Sequence, residues 1–357
     1  MYGIIMAGGQ GTRLYPLTHS RPKPMVEVLG RPVIDFVKDA MVAAGISDIV
    51  VTTGYRGEQL ASHVASWSGE GDRSLLAEVN QEDVPMGTAG SVGLLRNRLT
   101  STFVVGSGDA IASFDIQALL RAHRQYNAKV TMALWEVEDP SEFGIVGLAS
   151  TPNGVVDGGL REGFIRQFLE KPSPEEAFSN VINAGLYVLE PEVFVHLPEG
   201  TKFDFSRDLF PILLAQDWPM YAKAIDGVWF DVGQPNELLR AQKTLMEDYA
   251  SLPFSFPAGF NVLENDTLVG PSTAVGGTVT RSTIGRFSTV EQGALVSDSL
   301  LMDGCMVHSG AVVKESVLGT RVVVPNGARV EGCVIGDGVV LSSSGTYQGQ
   351  RIPNEGK

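Results

Sequence analysis

From about Tyr249 onward, apolar residues return every six positions. Ile284, Val290, Val296 and Met302 make one series, Val312, Leu318, Val324 and Val330 a second, and Val334 and Val340 keep the same spacing. A period of six belongs neither to a helix, with 3.6 residues per turn, nor to a half-exposed strand, with two. With glycines in the turns it describes a chain that turns a corner after each short strand and stacks its coils, a parallel β-helix. A β-sandwich is the weaker alternative. The last stretch, "SSSGTYQGQRIPNEGK" from Ser342, is polar and glycine-rich and reads as frayed. The expected domains are therefore a β-helix over 251–345 and a flexible tail over 346–357.

The residues before 250 carry a different pattern. "YGIIM", "DIVVTTGY", "LLAEVNQ", "TFVVGSGDA" and "KVTMALWEV" read as strands, and "VIDFVKDAMVAAG", "RGEQLASHVASW" and "DIQALLRAHRQY" as the helices among them. Strands alternating with helices give a doubly wound, mostly parallel, Rossmann-like α/β sheet, here a domain over 1–250. Such sheets bind ligands beyond the carboxyl ends of their strands. The glycine loop after Met6 and the "GSGD" turn both fall there.

Charge narrows the ligand. The 357 residues include 41 acids against 27 Lys and Arg, a net charge of -14. An acidic surface disfavours nucleic acid and anionic membrane, which leaves small-molecule work. Cys305 and Cys333 have no metal-ligand spacing and read as buried apolar fillers. The opening "MYGIIMAGG" lacks a basic flank and a long apolar run, so a cytoplasmic protein is expected.

Against this background, "GGQGTRLYPLTHSRPKP" from Gly8 holds Arg13, Arg21 and Lys23 and no acid. That concentration of positive charge suits a small polyanion. A P-loop needs Gly-Lys-Ser/Thr leading into a helix, and a dinucleotide fingerprint needs a helix directly after its glycines. Neither pattern is present. Pro16, Pro22 and Pro24 exclude a regular helix, so the loop is expected to run extended over the sheet, its N–H groups lining a triphosphate with Arg13 and Lys23. Asp109 follows a strand end, either as a functional carboxylate or as a cap for the helix near Asp115. Asp231, beside Trp229 and Phe230, is hard to explain as a surface carboxylate. Asn183 is a polar residue in an apolar strand and needs a partner if buried.

These segments resemble the sugar-1-phosphate nucleotidyltransferases, the enzymes that make NDP-sugars. The likeness runs through "GGQGTRLYPLTHSRPKPM", "VPMGTAGSV", "GSGDAIASFD", "EKPSP", "NAGLYVLEPEVF" and "WFDVGQP", and covers residues 2 to 245. The hexad domain looks like the left-handed β-helix found after the catalytic domain in the mannose-1-phosphate guanylyltransferase and ADP-glucose pyrophosphorylase branches. The resemblance implies that Ala7, Gly8, Gly9, Gly11, Thr12 and Arg13 bind the nucleotide, with Lys23 beside Arg13 on its phosphates. Gln81, Gly87 and Thr88 would edge the base. Asp109 and Asp231 would bind Mg²⁺, a hard cation suited to carboxylates and phosphate oxygens. Lys171 would take the phosphate of the sugar, with Gly144, Glu170 and Asn183 around the sugar. "MGTAG" and "NVINAGLYVLEPEVF" look more like the guanylyltransferases than the thymidylyltransferases, which favours GTP over UTP, dTTP or ATP; a cyclitol phosphate stays open as acceptor.

The implied chemistry is in-line attack by a sugar phosphate oxygen on the α-phosphorus, with pyrophosphate leaving. A phosphate with a second pKa of about 6 needs no general base. A non-catalytic regulatory subunit would show gaps in the charged set, and none of the matched cations or acids is missing. Acyl transfer on the β-helix would want a histidine base, for which His308 is the one candidate after His196. The short hexad region reads instead as an assembly element that makes a homo-oligomer.

Overall fold

The computed structural model describes residues 1–54, 56–68, 75–252 and 254–353. Its first sheet is built outward from strand Tyr2–Met6. Ile4 and Ile5 are fully buried there, as a strand covered on both faces requires. The strand pairs in parallel with Asp48–Thr53 on one side and Phe103–Ser107 on the other, and Leu76–Gln81 extends the parallel set. Across nine strands the order is 76–81, 48–53, 2–6, 103–107, 181–189, 130–136, 220–224, 162–170 and 144–149.

The parallel alternation read from the sequence runs as far as Phe103–Ser107. Beyond it Val181–Leu189 enters antiparallel to both neighbours, and the far edge is an antiparallel pair, Glu162–Glu170 with Gly144–Ala149. The link from Ala149 to Glu162 has no crossover helix, which an antiparallel neighbour does not need. The sheet is therefore mixed. Ala7 N donates to Thr52 O at 2.8 Å and Gly108 N to Met6 O at 2.9 Å, so the glycine loop and the turn carrying Asp109 leave the sheet on one edge.

Packing groups the chain into two units that cut across the boundary read near residue 250. One is Met1–Gly9 with Phe36–Trp229, the other Gln10–Asp35 with Phe230–Lys357. Specific bonds draw Gln10–Asp35 into the second unit. Arg286 Nη2 donates to Gly30 O at 3.0 Å while its guanidinium lies 4.9 Å from the centre of the Phe260 ring. Gln242, on helix Pro235–Glu247, donates to Ser299 O at 3.1 Å.

In the second unit short strands stack into three parallel sheets, as expected of the left-handed β-helix. Ile284 pairs with Leu301, Leu301 with Leu318 and Leu318 with Ile335, a coil of 17 residues. Seventeen residues cannot make three equal sides of six. The inward series runs Ile284, Val290, Val296, Leu301, Val307, Val313, Leu318, Val324, Val330 and Ile335, with steps of six, six and five. This corrects the uniform period. Leu301 occupies the place read for Met302, Val313 that of Val312 and Ile335 that of Val334. Leu341 is 7% exposed where Val340 is 70% exposed.

A ladder holds the five-residue side. The hydroxyls of Ser282, Ser299 and Ser316 accept the N–H groups of Ser299, Ser316 and Cys333 at 3.1, 3.1 and 3.0 Å, and Cys333 Sγ accepts that of Gln350 at 3.4 Å. Each bond satisfies a buried backbone donor at a corner where the strands cannot. Cys333 is thus a hydrogen-bonding rung rather than a filler. Cys305 Sγ donates to Gly319 O at 3.1 Å, and burial pushes its thiol up to about 12.

The coils also continue where the sequence suggests a tail. Thr346–Gln348 and Arg351–Ile352 pair in parallel with Arg329–Glu331 and Val334–Ile335. Tyr347 and Ile352 supply the inward side chains, so two apolar residues suffice to add a coil to a polar segment. The rest of the expected tail, 354–357, lies outside the described residues. Among the described residues no helix is long and apolar enough to cross a membrane. Leu341→Asp is expected to bury an unpaired carboxylate and lower the melting temperature sharply. Val340→Asp should leave it near wild type. Thermal melts of the two variants check the register, and equal losses would restore the uniform six-residue period.

Candidate active site

The segment after Gly9 does not run extended. It folds as three one-turn 3-10 helices, Thr12–Leu14, Leu17–His19 and Lys23–Met25. Prolines forbid a longer helix but tolerate single turns, and Leu14 and Leu17 are fully buried beneath them. Gly11 enters the first turn at φ 65°, and a Cβ there would sit 2.8 Å from Lys23 Cβ. Only glycine meets both demands.

This folding gathers two of the three cations on one carboxylate. Lys23, 7% exposed, places Nζ 3.1 Å from Asp231 Oδ1. Arg13, with its side chain 49% exposed, brings Nη2 to 3.9 Å from Asp231 Oδ2. A Cβ at Gly233 would lie 2.9 Å from the Arg13 guanidinium and 3.2 Å from both Asp231 oxygens, so the "DVG" glycine makes room for the pair. Arg21 turns elsewhere. Its Nη2 donates to Asp337 Oδ2 at 2.6 Å and to Thr320 Oγ1 at 2.7 Å. The polyanion cluster of the sequence is thus two cations, and the third is structural. Burial alone would raise the Asp337 carboxyl, but the charge of Arg21 and hydrogen bonds from Arg21, Ser20 and Thr320 N–H outweigh it and hold the group below its usual range.

The remaining candidates lie in the sheet unit. Ala7 is buried at the strand end, and Gly8 and Gly9 are exposed. Asp109 stands between strands Phe103–Ser107 and Ala110–Ala112, where Ser107 Oγ donates to its Oδ1 at 2.6 Å. It is not a helix cap. Asp115 performs that task for Ile116–Gln125 by accepting from Ala118 N at 2.8 Å. Gln81 ends its strand opposite Thr53, with Oε1 2.7 Å from where a Cβ on Gly57 would stand. Gly87 opens helix Gly87–Gly93 at φ 74°, and a Cβ there would lie 2.6 Å from Phe203 O.

Thr88, Asn183 and Glu170 are joined by residues that the sequence reading passed over. Thr88 Oγ1 donates to Asp204 Oδ2 at 2.7 Å and accepts from Phe205 N at 2.9 Å. Asn183 donates to Tyr187 OH at 2.8 Å and Ser206 Oγ at 3.3 Å, and accepts from Gly185 N at 2.9 Å. Those bonds answer the need of a buried polar group in an apolar strand. Gly144 pairs with Glu170, and a Cβ on it would lie 2.8 Å from Glu170 Oε2, so this glycine makes room for the carboxylate. Lys171 adopts φ 51°, donates its N–H to Phe143 O at 2.9 Å and extends Nζ to Glu142 Oε2 at 3.1 Å, half exposed. Asp204 had a visible signal. In "FDFSRDLF" it precedes a helical turn and accepts from Ser206 N and Arg207 N, as an N-cap does. Glu82 had none. It is buried and accepts from Met86 N at 3.0 Å and from Ser91 Oγ, anchoring the turn before Gly87. On the β-helix, His308 Nδ1 lies 2.9 Å from Glu291 Oε1, whose other oxygen accepts Ser309 N at 2.9 Å.

The chain thus combines an α/β sheet with a glycine loop at its carboxyl edge, two cations on one aspartate, and a β-helix. Residues 2–248 match the family described as nucleotidyl transferase, and residues 259–354 match the GMPPB C-terminal domain. The chain belongs to the nucleotidyl transferase family. It is 35% identical to the mannose-1-phosphate guanyltransferase of Eremothecium gossypii, over 78% of this chain and 73% of that one. The same identity links it to that of Saccharomyces cerevisiae, over 76% and 72%. The mannose-1-phosphate guanylyltransferase catalytic subunit beta of Danio rerio is 31% identical over 77% and 73%.

Burial, and after it the charge of Asp204, raises the Glu170 carboxyl above its ordinary range, against the pull of Lys171 and Arg207. A carboxyl raised by folding binds its proton more tightly in the native state, so its contribution to stability falls as pH climbs from the unfolded value through the folded one. Glu170→Gln is therefore expected to be more stable than wild type at neutral pH. The advantage should vanish below about pH 4. Denaturant midpoints across that range check it; a constant difference would mean the carboxylate is not the cause.

Proposed function

We propose that this sugar-1-phosphate nucleotidyltransferase joins GTP to mannose 1-phosphate, or to a closely similar sugar or cyclitol 1-phosphate, and works in the cytoplasm. Its similarity to mannose-1-phosphate guanyltransferases supports the choice of nucleotide and sugar. The observation that carries the chemistry is the meeting of Lys23 and Arg13 on Asp231 next to Gly233. A sugar phosphate oxygen forms a bond to the α-phosphorus of the NTP, and the bond to the β-phosphate oxygen breaks to release pyrophosphate. Arg13 and Lys23 neutralise the charge that grows on the leaving group. Lys171 binds the sugar phosphate, while Glu170 and Asn183 hold its hydroxyls. Gly8 and Gly9 meet no atom closer than 3.9 Å where a Cβ would stand, so a side chain there would obstruct an approaching phosphate rather than the protein. GTP is preferred to UTP, dTTP or ATP because "MGTAG" and "NVINAGLYVLEPEVF" look more like the guanylyltransferase branch.

Mg²⁺ fits the donors at hand. Among the described residues no group of three or more His, Cys, Asp or Glu gathers to form a closed cage. One or two carboxylates completed by phosphate oxygens are the mode Mg²⁺ adopts, and Asp109 and Asp231 would supply them. When bound, the ion would add positive charge at the phosphates. Self-association through the β-helix belongs to the same reading, since Met306 and Val340 stand exposed on one of its sides.

Pyrophosphate release measured with five NTPs against a panel of sugar 1-phosphates tests the assignment, which fails if GTP with mannose 1-phosphate is not among the best pairs. Asp109→Asn and Asp231→Asn are each expected to abolish Mg²⁺-dependent turnover in folded protein, and near wild-type rates would remove the residue from the metal site. Lys171→Ala should raise KM for the sugar phosphate roughly 10- to 150-fold, the loss of a charge-assisted contact of about 1.5–3 kcal/mol, with little effect on KM for the nucleotide. Arg13→Ala should mainly lower kcat. Steady-state kinetics with each substrate varied in turn separates the two.

A further inference from the structure

We propose that the last coil of the β-helix is a positioning element for the phosphate loop, with Arg351 and Asp337 fixing the backbone that aims Arg13. The proposal rests on the nucleotidyl-transfer reading and adds to it residues outside the motifs that define the loop. Arg351 Nη1 donates to Arg13 O at 2.7 Å and to Tyr15 O at 3.0 Å. Arg13 lies in the 3-10 turn Thr12–Leu14 and Tyr15 is its C-cap, so both carbonyls sit at the end of one turn. One guanidinium nitrogen closes both.

Further along the loop, Pro16 lies 3.2 Å from where a Cβ on Gly336 would stand, so this glycine lets the loop approach the coil closely. Ser20 Oγ and Arg21 Nη2 then bond Asp337, and Arg21 also reaches Thr320 Oγ1 and Met302 Sδ. From Arg13 to Arg21, therefore, the loop is pinned at both ends and at one middle point to coil residues. Arg13 is thus held at both ends, its carbonyl by Arg351 and its half-exposed guanidinium 3.9 Å from Asp231. A misplacement of the order of 1 Å in a catalytic group costs up to about a hundredfold in rate.

The test uses the full chain with Arg351→Gln, Arg351→Lys and Asp337→Asn. Arg351→Gln is expected to lower kcat by up to about a hundredfold and to weaken binding of inorganic pyrophosphate, read by calorimetry, with KM for mannose 1-phosphate little changed. Arg351→Lys should restore part of both, because an ammonium can still donate to the two carbonyls. Asp337→Asn should follow Arg351→Gln at the same temperature. Unchanged kcat and pyrophosphate affinity in Arg351→Gln and Asp337→Asn would overturn the proposal. So would losses that affect sugar and nucleotide equally and track a lowered melting temperature, the mark of a merely structural role. If wild type binds pyrophosphate yet turns over no pair of substrates, the functional reading fails while calorimetry still decides the positioning role. A wild type that binds no pyrophosphate would sink both.

Discussion

An ammonium group 7% exposed to solvent must meet a negative partner, and for Lys23 that partner is Asp231. Removing one member of a buried pair typically costs about 3–5 kcal/mol, because the other charge is left stranded. The pair joins positions separated by most of the α/β sequence. It brings a loop of proline-broken 3-10 turns against a strand end followed by glycine. Arg13 shares the same carboxylate, so the two cations cannot be set independently. What a triphosphate would meet is one joint arrangement.

The sheet unit solves a different problem, the placing of carboxylates and amides near one another. Glu170 and Asp204 repel, and the repulsion is moderated by Ser206 and by Lys171 and Arg207. Asn183 spends its amide on Tyr187, Ser206 and Gly185. A network satisfied this fully is rigid. The glycines serve it by subtraction. Gly144 leaves space for a carboxylate and Gly87 for a carbonyl.

Much of this was legible from residues alone. Apolar runs placed the strands, and the hexad repeat announced the β-helix. Periodicity, however, reports only the average, so it missed the step of five and chose Met302, Val312, Val334 and Val340 over the neighbours that join the β-helix core. Charge clustering singled out the loop with its three cations but could not tell that Arg21 turns away from the other two, because its partner is Asp337, more than 300 residues away. Capping logic applied to Asp109 gave two readings, and the nearer residue Asp115 took the cap. Glu82 gave no signal, since its role depends on backbone and hydroxyl donors that composition does not display. The sheet's antiparallel half was hidden for a similar reason. Strand direction depends on what connects the strands, and the lengths after Glu136 fit more than one path.

The 17-residue coil has a consequence for how such a domain can change over time. Each inward side chain and each Ser or Cys rung is in phase with the one a full coil away. An insertion of one or two residues in a strand would turn apolar residues outward in every coil that follows and break the ladder at once. Lengthening is therefore quantised. The β-helix can gain or lose whole coils, or bulge at a corner, but cannot drift in size as a surface loop does. Because the coil carrying Asp337 and Arg351 is the one that grips the loop, growth by a whole coil is tolerated beyond it and not before it.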